Sequence, residues 1–140
     1  MRPFTNLVRA SFVSVIILAI AACSTTPQDA VLNAGAKREF LLPDNYQLVY
    51  RRVYDYAKPC LSSAGYGGVS MEVEGQLYPD LNSGQITYSQ NNLTKNYFVV
   101  VKINKVASGS RVTISAANMS VNEKNAQLFE DVARGNKTSC

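Results

Sequence analysis

Histidine and tryptophan are absent from all 140 residues. Without an imidazole, a Ser-His-Asp triad, a Cys-His dyad and a zinc site using His ligands are excluded. Cysteine is scarce, at positions 23, 60 and 140, and no C-x-x-C pair is present. A dithiol redox enzyme is therefore not expected. Charged residues make up 17% of the chain, and Lys37-Arg38 and Arg51-Arg52 are its only adjacent basic pairs. No basic patch with a docking motif marks a nucleic-acid partner. Gly65-Tyr66-Gly67-Gly68 lacks the following Lys of a phosphate-binding loop. The length suits one domain.

What is present begins at the N-terminus. Arg2 and Arg9 precede 13 uncharged residues, Ala10 to Ala22. A span of ~30 Å of hydrocarbon needs about 20 apolar residues, so this core is too short for a transmembrane helix. A basic start, a short apolar core and small residues at its end fit a secretory signal. The polar run Ser24-Thr25-Thr26-Pro27-Gln28-Asp29 follows. Removing residues 1–22 takes away two arginines and leaves 12 basic against 10 acidic side chains, a formal +2.

The segment Ile20-Ala21-Ala22-Cys23 resembles the lipobox of bacterial lipoprotein precursors: an aliphatic residue, two small residues, then Cys. The resemblance implies that the Cys23 thiol receives a diacylglyceryl group, that cleavage falls between Ala22 and Cys23, and that the new amine is acylated. Two or more acyl chains anchor a protein firmly. Among enterobacterial members of this family, Asp after the Cys favours the inner membrane. Ser24 here implies the outer membrane, facing the periplasm. The resemblance covers about 25 residues and carries no fold.

With Cys23 assigned to the anchor, Cys60 and Cys140 are left as a pair. An oxidising compartment favours their closure into a disulfide. The closed loop spans 81 residues, for which chain entropy gives about 4.5 kcal/mol as an upper figure.

Residues 23–43 read as the lipidated Cys and a flexible tether. STTPQDA is polar, and 31–40 shows no clear period. Residues 44–140 read as a single periplasmic α+β domain. Asp44 is the expected N-cap of a first helix, with Gln47 at capping-box spacing. Its apolar stripe is Tyr46, Val49, Tyr50, Val53, Ala57, Cys60, Leu61 and Ala64. Pro59 predicts a kink near 56–59. Four strands follow: 69–78, where Gly75 suggests a bulge, then 85–89, 96–106 and 111–119. The third is apolar on both faces at its centre and belongs inside the sheet. Short links favour an antiparallel meander. A second helix starts near Ser120 and stops at Arg134-Gly135. The expected fold is thus helix, four-stranded meander, helix, closed by Cys60–Cys140, with the helices on one sheet face.

Eight tyrosines are the most unusual feature. With no Trp and five Phe, Tyr must supply much of the aromatic packing. Tyr54 and Tyr56 lie off the first helix's stripe, which makes them the candidate binding surface. Glu72 and Glu74 share a strand face, a spacing near that of paired carboxylates in glycoside hydrolysis. Adjacent solvent-facing glutamates on a sheet are ordinary, and no second signal marks a cleft.

The chain is therefore expected to be a lipid-anchored envelope protein with a non-catalytic binding or scaffolding role. No catalytic, metal-binding or cofactor-binding residue is assigned. Its partners are the membrane, through the anchor, and an envelope or peptidoglycan-associated protein. The rival expectation is a periplasmic inhibitor or small-ligand module acting on a cell-wall hydrolase. A third is a glycan-active enzyme using Glu72 or Glu74.

Overall fold

A computed structural model describes residues 26–33, 36–117 and 120–140. The signal segment 1–22 and Cys23 lie outside the described residues. No described helix is long and apolar enough to cross a membrane.

The elements run α1 (Gln28–Asn33), β1 (Ala36–Leu42), α2 (Tyr46–Leu61), β2 (Ser63–Ala64), β3 (Ser70–Tyr78), β4 (Ser83–Asn91), β5 (Lys95–Val106), β6 (Gly109–Ala116) and α3 (Ser120–Ala133). A 3₁₀ turn, Tyr66–Gly68, joins β2 to β3. All six strands form one antiparallel sheet in the order β1-β6-β5-β4-β3-β2.

This corrects the expected four-stranded meander. The four long strands are present and consecutive, but each outer edge carries one more. β2 is only two residues long and pairs Ser63 with Met71 and Ala64 with Ser70. β1 comes from the stretch read as a tether. All seven of its residues pair with β6, from Ala36 opposite Ala116 to Leu42 opposite Ser110. Its alternation is obscured because Arg38 occupies an inward position beside Phe40 and Leu42. Arg38 is satisfied there by Glu130 of α3 at 3.1 Å and by Gln127 at 2.7 Å. The Arg134 guanidinium covers the Phe40 ring at 4.1 Å. Residues 26–33 and 36–42 thus pack on the sheet.

α2 and α3 cover one sheet face. Val73, Ile86, Val99, Val101, Ile103, Val112 and Ile114 point into that layer, fully buried. Val49 and Val53 of α2 and Phe129 and Val132 of α3 meet them. α1 takes part of the other face: Val31 packs with Val100 and Ala117 in a small second cluster. Both faces of β5 are therefore buried at its centre, as its sequence predicts.

Asn45, rather than Asp44, caps α2, its Oδ1 accepting from Gln47 N–H at 2.8 Å. Asp44 pairs instead with Arg52 at 3.0 Å. α2 continues through Pro59 to Leu61, so the proline sits in the last turn. Little helix remains beyond it to be broken. Gly75 is in register opposite Ile86, and the β-bulge lies between Tyr88 and Ser89. Glycine at 75 is required by close approach. A Cβ there would lie 2.4 Å from the Tyr50 hydroxyl and 2.6 Å from the Tyr54 ring. α3 ends as its sequence predicts, with Gly135 at φ +80. Gly135 N–H donates to Val132 O and Asn136 N–H to Asp131 O, both at 2.9 Å, the Schellman pattern.

Candidate functional site

The cysteine pair closes as expected: Cys60 and Cys140 form a disulfide with Cα atoms 5.5 Å apart. It ties the last residue of the chain to the final turn of α2. No solvent-exposed thiol chemistry is available at either residue.

The tyrosine expectation is corrected. Tyr56 is only 8% exposed and belongs to the main core. It lies three residues after Val53 and seven after Val49, so it shares their helical face. Tyr54 is half-buried. Its ring stacks on Tyr50 at 5.9 Å between centroids, and both rings rest on the backbone at Gly75. Burial raises the Tyr50 hydroxyl pKa, and the nearby Tyr54, Asp55 and Tyr78 add to the rise. These rings pack α2 onto β3 and β4 rather than forming an exposed pair.

The polar chemistry gathers on the sheet face away from α2 and α3. Strand alternation puts Glu72, Glu74 and Gln76 of β3 on that face. Their cross-strand partners are Ser89, Thr87 and Gln85 of β4. The bulge then sets Tyr97 of β5 opposite Ser89. Lys95 reaches back across the sheet to both glutamates, at 3.3 Å to Glu72 and 2.5 Å to Glu74, and lies 5.7 Å from the Tyr97 ring centre. Partial burial pulls the Lys95 pKa down. Hydrogen bonds and charge from Glu74 and Glu72 more than offset that, leaving it raised. One ammonium thus holds two carboxylates that share a strand face.

Gln28, Glu74, Gln76, Gln85, Thr87 and Tyr97 line a polar trough of about 90 Å³. The first turn of α1 supplies Gln28, so the segment read as a tether builds one wall. The Gln28 and Gln85 amides and the Thr87 hydroxyl make no side-chain hydrogen bonds to other described residues. Ser89 sits on the same face, and its fully buried hydroxyl has no partner among them either. A second, wider depression of about 340 Å³ lies at the β2 edge, lined by Lys58, Ser62, Ser63, Ala64, Ser70, Met71 and Glu72. Beneath it, Lys58 Nζ donates to Val73 O at 3.0 Å, and Val73 N–H donates to Ser62 Oγ at 3.2 Å. Among the described residues no cluster of three or more metal-ligating side chains is placed to hold an ion.

The trough has the chemistry of a hydrogen-bonding site for a small polar group: amides, a hydroxyl, one carboxylate and an aromatic ring. Its residues carry no joint signal in the sequence. The outward alternation at 72-74-76 and 85-87-89 was visible, but Gln28 and Tyr97 join only through tertiary structure.

No family model matches the chain, and no curated protein sequence matches it. A crystal structure of protein NE0264 from Nitrosomonas europaea is similar at a TM-score of 0.32 and 15% identity, covering 80% of this chain and all of that one.

Proposed function

We propose that this chain is a lipid-anchored protein of the outer membrane, facing the periplasm, with a non-catalytic binding or scaffolding role. The observation that carries the reading is the division of its three cysteines. Cys23 completes a lipobox-like Ile-Ala-Ala-Cys, and Cys60 and Cys140 close a disulfide suited to an oxidising compartment. The polar trough favours a second reading within the same address, a small-ligand module that modulates a cell-wall hydrolase. Glu72 and Glu74 are both engaged by Lys95 on a strand face, which supports binding over acid–base catalysis.

The anchor is tested by mass spectrometry of the mature protein. Its N-terminus should be an acylated Cys23, and Cys23→Ala should abolish both processing and lipid attachment. An unacylated N-terminus, or one beginning elsewhere, overturns the reading. The role is tested by affinity capture from envelope extract beside an assay on purified peptidoglycan. A stoichiometric partner or glycan fragment retained without turnover supports binding. Glycan cleavage that disappears with Glu74→Gln would replace it with an enzyme.

A further inference from the structure

We propose that the β4–β5 end of the domain is a membrane-docking surface, with Leu93 seated in the bilayer that holds the Cys23 acyl chains. The inference rests on the lipoprotein reading and deepens it by fixing which end of the molecule meets lipid.

The point where the chain enters the fold carries this inference. Thr26 N–H donates to Asn96 Oδ1 at 3.0 Å, and Thr26 O accepts from Tyr97 N–H at 3.1 Å. The chain is thus pinned to the start of β5 only three residues after Cys23. An extended chain covers at most ~3.6 Å per residue, so the Cys23 and Thr26 Cα atoms lie within about 11 Å of each other. Acylated Cys23 therefore holds the Asn96 end of the sheet near the lipid headgroups. A 20-residue tether would have left the orientation free; a three-residue one does not.

That end is built to meet such a surface. Asn92 Oδ1 accepts from Thr94 N–H at 2.9 Å, and Asn92 N–H donates to Thr94 O at 3.2 Å. This clamped turn presents Leu93 at 103% relative exposure, the highest of any large hydrophobic residue described. The register sets Ser70 opposite Asn91, so the loop preceding β3 stands beside this turn. Neither stretch 59–71 nor stretch 84–94 contains a charged residue. Lys95, next in the chain, is already paired with Glu72 and Glu74. Contact with lipid here would strip water from amides and an alkyl side chain, without burying an unpaired charge from either loop. The other end of β4 differs. Its turn carries Asp80 beside Leu81, which is 73% exposed. That leucine lies about 30 Å away along the strand.

Leu81 provides the internal control. Full-length lipoprotein carrying Leu93→Cys or Leu81→Cys is labelled with a polarity-sensitive fluorophore. It is then reconstituted into vesicles of phosphatidylethanolamine and phosphatidylglycerol. With Cys23 acylated and Cys60–Cys140 closed, only the introduced thiol reacts. The label at 93 should shift to the blue and be quenched several-fold more by nitroxide-bearing lipid than the label at 81. Water-like emission at both positions, or equal quenching at both, overturns the proposal. Mass spectrometry of the same preparation separates the two layers. An acylated chain with a water-exposed label at 93 removes the docking surface alone. A chain without acylation removes the docking surface and the lipoprotein reading together.

Discussion

The two faces of the sheet are made from alternate residues of the same strands, yet they obey different rules. On β4, Ile86 and Tyr88 turn toward α2 and α3, while Gln85, Thr87 and Ser89 turn away. On β3, Met71 and Val73 oppose Glu72 and Glu74. The covered face is continuous: valines and isoleucines from four strands meet two helices, and a disulfide fastens the far end of α2. The open face is divided. Around Val100 of β5 and Ala117 just after β6 it is apolar and covered by Val31 of α1, while Lys102, Arg111 and Thr113 carry it on as a polar surface. Over β3 and β4 it is polar, and one lysine balances two carboxylates. Stability is concentrated on the first face. That leaves the composition of the second free to serve recognition.

The sharpest way to break this contrast is to open the covered side at its fastening. Replacing Cys60 and Cys140 together with Ser should cost about 4 kcal/mol, near the limit for so long a loop. Urea unfolding with and without reductant measures it directly. A midpoint unmoved by reduction would mean that the helix layer holds without its bridge.

A somewhat smaller effect is expected within the helix. Tyr56→Ala should cost about 3 kcal/mol, because it empties a buried aromatic site. Tyr54→Ala should cost less, since that ring is half-buried and loses only its contacts with Tyr50 and the backbone at Gly75. Equal, small losses for the two would restore them to an exposed surface.

At the β1 edge of the covered face, Glu130 joins α3 to Arg38 of β1 and to Arg134, at 3.1 and 2.9 Å. Burial pushes its carboxyl pKa up, but hydrogen bonds and charge from Arg134 and Arg38 outweigh this and leave it lowered. A lowered pKa in the folded state contributes stability above the ordinary carboxylate value. That contribution is lost as pH falls through the folded-state value. Glu130→Gln should therefore cost about 1 kcal/mol at neutral pH, given partial exposure, and nearly nothing once the acid is protonated. Unfolding midpoints across the acid range would show the two curves converging. Parallel curves would remove the carboxylate from the account.

These contrasts also explain what could be read from the chain alone. β3 to β6, the last helix and the cysteine pair were legible because alternation, a Gly stop and an even cysteine count are local signals. β1 was not, because Arg38 stands at an inward position and depends on Glu130, 92 residues away. β2, at two residues, is too short to carry a period. Tyr56 is legible in its spacing from Val49 and Val53, which puts it on the buried face at the margin of the 46-49-50-53-57 stripe. The trough was half legible, since its β3 and β4 residues alternate outward. Gln28 reaches it only because α1 folds back over the sheet.

The smallest expected change in stability is on the open face, where the comparison is most informative. Lys95→Met removes one ion-pair centre at the surface, for which exposed pairs are worth about 0–1 kcal/mol. It also leaves Glu72 and Glu74 facing each other across one intervening residue without their shared cation, which sets the sign as destabilising. Gln85→Ala and Thr87→Val together remove trough donors; Thr87 is buried, but valine keeps its shape. Their cost should stay near about 1 kcal/mol, that of a lost hydrogen-bonding group. If the open face serves recognition, these variants should keep a wild-type unfolding midpoint while losing whatever is captured from the envelope. Truncation of a central polar contact is able to cost 2 kcal/mol or more in binding. A variant that unfolds early would place these residues with the covered face. One that folds and still captures the same material would move recognition away from the trough, leaving the β2-edge depression lined by Lys58 and Ser62 as the next surface to alter.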